Sequence, residues 1–217
     1  MHLHLFSLPG EPLLRDIIAA ARQHLAGRAE PLVAYLPAAA VERHFVRETK
    51  AAFRGLARVE TIKVESHPAE HLHAVLTRAD VLYIPGGNTY LMAQRLHSRG
   101  LMSELRERLR QGLPLVAFSA GAVLCGPDIR TSNDENTCGC AVFDGLGVLP
   151  FGINVHFPVA AGAEQAARLS RLHLYAAEHA CEVLALADSA YVQVSDGAVK
   201  LVRGEAWWIT ADSCTPV

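Results

Sequence analysis

No apolar run in this 217-residue chain approaches the roughly 20 residues that a bilayer-spanning helix needs. The opening residues, Met1-His2-Leu3-His4-Leu5-Phe6, lack the basic start and long apolar core of a secretion signal. Charge is not heaped on one sign: 20 Lys and Arg stand against 22 Asp and Glu, for a formal net charge of −2. With hydrophobic residues at 51%, that balance excludes a disordered polyelectrolyte and offers no basic tail for nucleic acid. These absences predict a soluble, cytoplasmic protein with neither membrane nor nucleic acid as a partner.

Cysteine is scarce for a stapled fold. Cys125, Cys138, Cys140, Cys181 and Cys214 are odd in number, and a chain of this length buries about 70% of its unfolded surface without disulfides. Cys138-Gly139-Cys140 is the one close pair, and no second pair stands at metal-ligand spacing from it. His71, His73, His97, His173 and His179 fall in helix-like or polar stretches and read as surface or packing residues. Tyr191, Trp207 and Trp208 read as core, with a subunit interface as the alternative. No metal and no organic cofactor is expected.

Apolar runs alternate with amphipathic stretches along most of the chain. Strands are expected over 1–8, 31–36, 59–64 and 81–84, with helices over 12–26, 41–56 and 69–78 between them. The stretch 89–111 reads as one or two helices broken near Gly100. Beyond residue 140, short strand-like pieces at 152–157, 183–187, 191–194 and 198–202 are closely spaced, with one helix at about 162–181. Asp196-Gly197 is a hairpin signal. This grammar predicts one α/β domain over residues 1–217: a mainly parallel sheet sandwiched by helices, with an antiparallel C-terminal extension.

Chemistry is concentrated at two strand ends. In Leu115-Val116-Ala117-Phe118-Ser119-Ala120-Gly121-Ala122 an apolar strand stops at a serine among small residues, which suits the sharp strand-to-helix turn that presents a nucleophile. Gly86-Gly87-Asn88-Thr89 ends the other strand, and its small residues let backbone N–H groups approach a ligand. Gly87 and Ala120 are the candidate oxyanion donors, each contributing roughly 3 kcal/mol to a tetrahedral intermediate.

A serine hydroxyl needs a base. His156, in Ile153-Asn154-Val155-His156-Phe157, is the candidate; alternation places it with Asn154 on one face of a strand. Asp134, in the polar loop between serine and histidine, is the candidate acid, with Glu135 its rival and Asp128 and Asp144 weaker ones.

Taken together, the segments 84–90, 118–122, 129–134, 143–147 and 153–157 resemble the successive motifs of peptidase family S51, and within it the aspartyl dipeptidases. The resemblance covers roughly residues 80–158. It implies a fold similar to class I glutamine amidotransferases (flavodoxin-like), and a serine peptidase that hydrolyses dipeptides with an N-terminal aspartate. It also implies Ser119 as nucleophile, His156 as base, Asp134 as acid, Gly87 and Ala120 at the oxyanion, Asn88 beside the substrate, and a homodimer. The family's substrate-gripping arginine has Arg168 as its nearest counterpart, with Arg171, Arg130 and Arg95 as rivals. Phe118 stands where these dipeptidases have Trp, and Val155 where they have Pro. Two other readings compete: an S51 hydrolase of relaxed or cyanophycinase-like specificity, and a non-catalytic binding module of the same fold.

Overall fold

The computed structural model describes residues 1–9, 14–39 and 43–217. Five short parallel strands lie between two helical layers, and the three at the centre of the sheet carry unbroken apolar sequence because they are buried on both sides. The five are β1 (His2–Phe6), β2 (Leu32–Tyr35), β3 (Arg58–Thr61), β4 (Val81–Ile84) and β5 (Leu115–Phe118). All their mutual pairings are parallel, in the order β3-β2-β4-β5-β1. Between them run α1 (Leu14–Leu25), α2 (Arg43–Ala52), α3 (Ala69–Arg78), α4 (Thr89–Ser98) and α5 (Leu101–Arg110). The break expected near Gly100 falls there: Gly100 is left-handed (φ 65°) and separates α4 from α5. The starts expected for the first two helices, at Pro12 and Val41, lie outside the described residues.

Alternate strand residues feed two cores. Leu3, Leu5, Leu82, Ile84, Leu115 and Ala117 point to the α3–α5 side. Phe6, Tyr35, Tyr83, Val116 and the half-buried Phe118 point to the α1 side. Ser119 follows Phe118 directly, so it stands at the sheet tip between the two layers.

The C-terminal part departs from expectation in one respect. Instead of a single antiparallel extension, its strands go two ways. β8 (Tyr191–Ser195) and β9 (Ala198–Arg203) continue the main sheet antiparallel beside β1, joined by a turn in which Asp196 and Gly197 both have positive φ. The other strands, β6 (Gly152–Asn154), β7 (Val183–Leu186), β10 (Ala206–Ile209) and β11 (Cys214–Pro216), form a separate four-stranded sheet in which β6 and β7 are parallel. The crossover between β6 and β7 is α7 (Ala163–His179), and a connection of that length permits parallel pairing. Phe157, Leu172, Tyr175 and Val183 pack this second layer. No helix among the described residues is long and apolar enough to cross a membrane.

A short helix, α6 (Ala120–Val123), follows β5 and lies close against β4. A Cβ on Gly121 would stand 2.5 Å from the Ile84 carbonyl oxygen. Gly121→Ala is therefore expected to cost about 1–3 kcal/mol in urea unfolding, because backbone must move to admit the methyl. Wild-type stability would show that α6 can shift freely.

His4 on β1 is buried, its Nδ1 2.6 Å from the Tyr191 hydroxyl and its Nε2 2.8 Å from His24 Nε2. Burial, then the nearby His24 and His2, lowers its pKa from 6.5 to about 4. The unfolded chain takes up this proton near 6.5 and the folded chain only near 4. Stability is thus full above pH 6.5 and falls as pH drops toward 4. His4→Gln, which hydrogen-bonds without titrating, should flatten that fall in pH-dependent denaturation. An unchanged slope would assign it to other groups.

Candidate functional site

The adjacency of β4 and β5, with Ile84 opposite Ala117, brings the two candidate loops together at their carboxyl ends. Ser119 has φ 50° and ψ −119°, a conformation that costs a non-glycine residue about 1–3 kcal/mol and persists only where its surroundings enforce it. The Ser119 N–H donates to the Phe6 carbonyl at 3.0 Å, and Ala122 and Val123 donate to the Ser119 carbonyl. The Ala120 N–H opens α6 and, as in any first helical turn, has no acceptor within the helix.

Both glycines of the neighbouring turn are sterically required. A Cβ on Gly86 would meet the Phe118 ring at 2.8 Å and Ser119 Cβ at 3.1 Å, and one on Gly87 (φ 132°) would meet Ala39 Cβ at 2.5 Å. Arg95 holds the Ala38 and Ala39 carbonyls at 2.9 Å each and so braces the wall behind Gly87.

The structure brings His156 to Ser119, with Nε2 3.1 Å from Oγ. The strand alternation expected to aim it does not extend so far: β6 ends at Asn154, and His156 has φ 55°. Its position is fixed from the backbone instead. The His156 N–H donates to Ser7 Oγ at 2.8 Å, and Ser7 Oγ donates to the Leu186 carbonyl at 3.2 Å. Phe157 N–H donates to that same carbonyl. Ser7, wholly buried at the end of β1, thus couples the main sheet to the second one at the site.

The structure does not bring Asp134 to the imidazole. The carboxylate that meets the imidazole belongs to Asp188, whose Oδ1 lies 2.5 Å from His156 Nδ1. Asp188 occupies the turn between β7 and β8, against which Gly204 (φ 79°) packs so tightly that a Cβ there would stand 2.5 Å from Ser189 backbone. Asp134 is committed elsewhere: its Oδ2 accepts from Thr89 N–H at 2.7 Å, Thr89 Oγ1 at 2.6 Å and Ser132 Oγ at 3.1 Å. A carboxylate at the first residue of α4 satisfies an orphan N–H and suits the positive end of the helix. Asp134 therefore clamps the Gly86–Asn88 turn to the 130s loop. Of the rival acids, Asp128 binds Arg130 through both its oxygens, and the Glu135 carbonyl accepts from Asn88.

Asn88 caps α4, its Oδ1 accepting from Leu91 N–H at 3.0 Å. Each end of this side chain thus makes one bond that holds the loop. The buried Asn154 continues the clamp, donating to the Thr131 carbonyl and to Asn133 Oδ1. Arg171 donates to the Arg130, Thr131 and Ser132 carbonyls and to Asn133 Oδ1. Arg168 is less engaged than Arg171. It reaches the His156 carbonyl at 3.3 Å and Glu164 at only 3.8 Å, with 17% of its side chain exposed, and burial lowers its pKa. Beside Ser119 a cavity of about 340 Å³ opens on the α1–α2 side. A larger depression of about 550 Å³, lined by His97, Arg106 and Asp144, holds none of these residues and is open to solvent.

Sequence reasoning missed Ser7 and Asp188. Asp188 directly follows the expected strand 183–187, at the kind of strand end where ligands gather, and that placement was the available signal. Ser7 carries none: a serine after an apolar strand is ordinary turn chemistry.

The family model described as "Peptidase family S51" matches residues 6–202. Peptidase E of Salmonella newport (strain SL254) is 28% identical over 208 residues, covering 94% of this chain and 89% of its own length. Peptidase E of Salmonella typhimurium (strain LT2) is similar to the same extent. Among solved structures, a provisionally named peptidase E of Listeria monocytogenes EGD-e superposes with a TM-score of 0.72 at 19% identity, over 94% of this chain and 98% of its own. A peptidase from an acI-B1 Actinobacterium gives 0.70 at 16%, over 100% and 93%. These two establish the fold: a mainly parallel sheet flanked by helices, with antiparallel C-terminal strands. With the family match spanning nearly the whole chain, the protein belongs to peptidase family S51 and is a serine peptidase.

Proposed function

We propose that the protein hydrolyses short peptides through a Ser119–His156–Asp188 triad and an acyl-enzyme. The observation that carries this is the relay of contacts: 3.1 Å from Ser119 Oγ to His156 Nε2 and 2.5 Å from His156 Nδ1 to Asp188 Oδ1. Ser119 attacks the scissile carbonyl as Nε2 takes its proton. The tetrahedral oxyanion is met by the N–H groups of Gly87 and Ala120. His156 then gives the proton to the departing amine, and water repeats the cycle on the ester. Asp188 holds the imidazole in the tautomer that leaves Nε2 free to accept, and stabilises the imidazolium.

The N-terminal residue of the substrate lies toward the 130s loop, where Arg171 is committed to four acceptors of that loop while Arg168 keeps only the His156 carbonyl at 3.3 Å and Glu164 at 3.8 Å. A half-buried guanidinium of that kind suits an aspartate side chain, and this supports preference for Asp at the first position.

Three substitutions separate the roles. Ser119→Ala should abolish cleavage of Asp-Ala and Ala-Ala. Asp188→Ala should lower kcat by about 10²-fold or more with little change in melting temperature, because its side chain is 66% exposed. Asp134→Ala removes a three-contact clamp and should lower stability by about 1–3 kcal/mol. A stable, inactive Asp134→Ala protein beside a fully active Asp188→Ala protein would return the acid's role to Asp134.

A further inference from the structure

The cavity beside Ser119 is apolar and aromatic on nearly every wall. Tyr35, Tyr83 and Phe118 form its floor from the strands, and Leu14 and Phe45 close it from α1 and α2. Leu8 and Phe45, at 43% and 41% exposure, are two of the few large apolar side chains that this protein leaves open to water. The two phenols stay neutral, since burial raises the pKa of each. Among the described residues the only carboxylate on the lining is Glu48, which sets a like charge against an acidic side chain. A volume of about 340 Å³ lies within the range of small-molecule sites, and exposed apolar surface gathered in a concavity marks a place where a ligand binds.

Its place in the site identifies which part of a substrate it faces. The cavity lies on the α1–α2 side of the sheet tip, whereas the 130s loop meets Thr89 and β6. A peptide crossing Ser119 therefore has one residue toward each. His156, which protonates the departing amine, lines the cavity, and the residue bearing that amine is the one nearest it.

We propose that this cavity is the subsite for the leaving residue, and that it selects a bulky apolar or aromatic side chain there. The proposal rests on the triad reading above and adds the substrate class: dipeptides whose second residue is of the Phe or Leu type. Aromatic walls and the expulsion of water from an apolar cavity supply the preference.

The test is kcat/KM for Asp-Phe, Asp-Leu, Asp-Ala, Asp-Asp and Phe-Ala, with wild type and with Phe45→Ala and Leu8→Ala, two exposed positions whose truncation leaves the core intact. Asp-Phe should exceed Asp-Ala by about tenfold or more, and either truncation should shrink that ratio several-fold. Equal rates for Asp-Phe and Asp-Ala, a preference for Phe-Ala, or ratios untouched by both truncations would overturn it. Calorimetric titration of Ser119→Ala with Asp-Phe and Asp-Ala reads the cavity without turnover. If wild type cleaves no dipeptide, the triad reading fails. Tighter binding of Asp-Phe would then still support the apolar subsite, and equal binding would overturn it.

Discussion

The site depends on a backbone held where an ordinary residue does not rest. Ser119 at φ 50° presents its hydroxyl at the sheet tip only because everything around it is small or immovable: Gly121 against the Ile84 carbonyl, Gly86 against Phe118, and the Phe6 carbonyl accepting the Ser119 N–H. His156, at φ 55°, is the second such residue. Two left-handed non-glycine residues facing each other across 3.1 Å indicate that the surrounding structure over-determines both. The same crowding explains why Gly86, Gly87 and Gly121 are glycines. A methyl group at any of them meets an atom within 2.8 Å.

Two sheets have to be held in register for the hydroxyl and the imidazole to meet. Ser119 rides on β5 of the main sheet, while His156 follows β6 and Asp188 follows β7 of the second sheet. Ser7 joins the two, accepting from His156 N–H and donating to the Leu186 carbonyl. On the far side, Asp134, Thr89, Asn133, Asn154 and Arg171 lock the 130s loop to α4, β6 and α7. The polar residues in this loop thus act as a frame, and the exposed Asp188 is the carboxylate that touches the imidazole.

Much of this was legible in the sequence, and what was not had a physical reason. The three central parallel strands, β2, β4 and β5, announce themselves as apolar runs because they are buried on two sides. The Gly86-Gly87 turn and the Ser119 elbow are local, so their chemistry can be read within eight residues. His156 was identifiable as a residue, although the alternation used to aim it stops at Asn154. Placing Asp134 beside the imidazole is an expectation of a kind that local patterns invite. A loop acid between serine and histidine fits the order of a triad, but contact is decided by which strand ends share a side of the molecule. The split of the C-terminal strands into two sheets, which brings Asp188 beside His156, rests on pairings between distant segments such as β1 with β8. Neither composition nor periodicity encodes those.

If Ser119 is a nucleophile activated by His156, reaction of the intact protein with a fluorophosphonate, followed by peptide mapping, will reveal it. One adduct is expected, on Ser119, lost when His156 is replaced by alanine. An adduct on another residue, or labelling of Ser119 that proceeds equally well without His156, would contradict it.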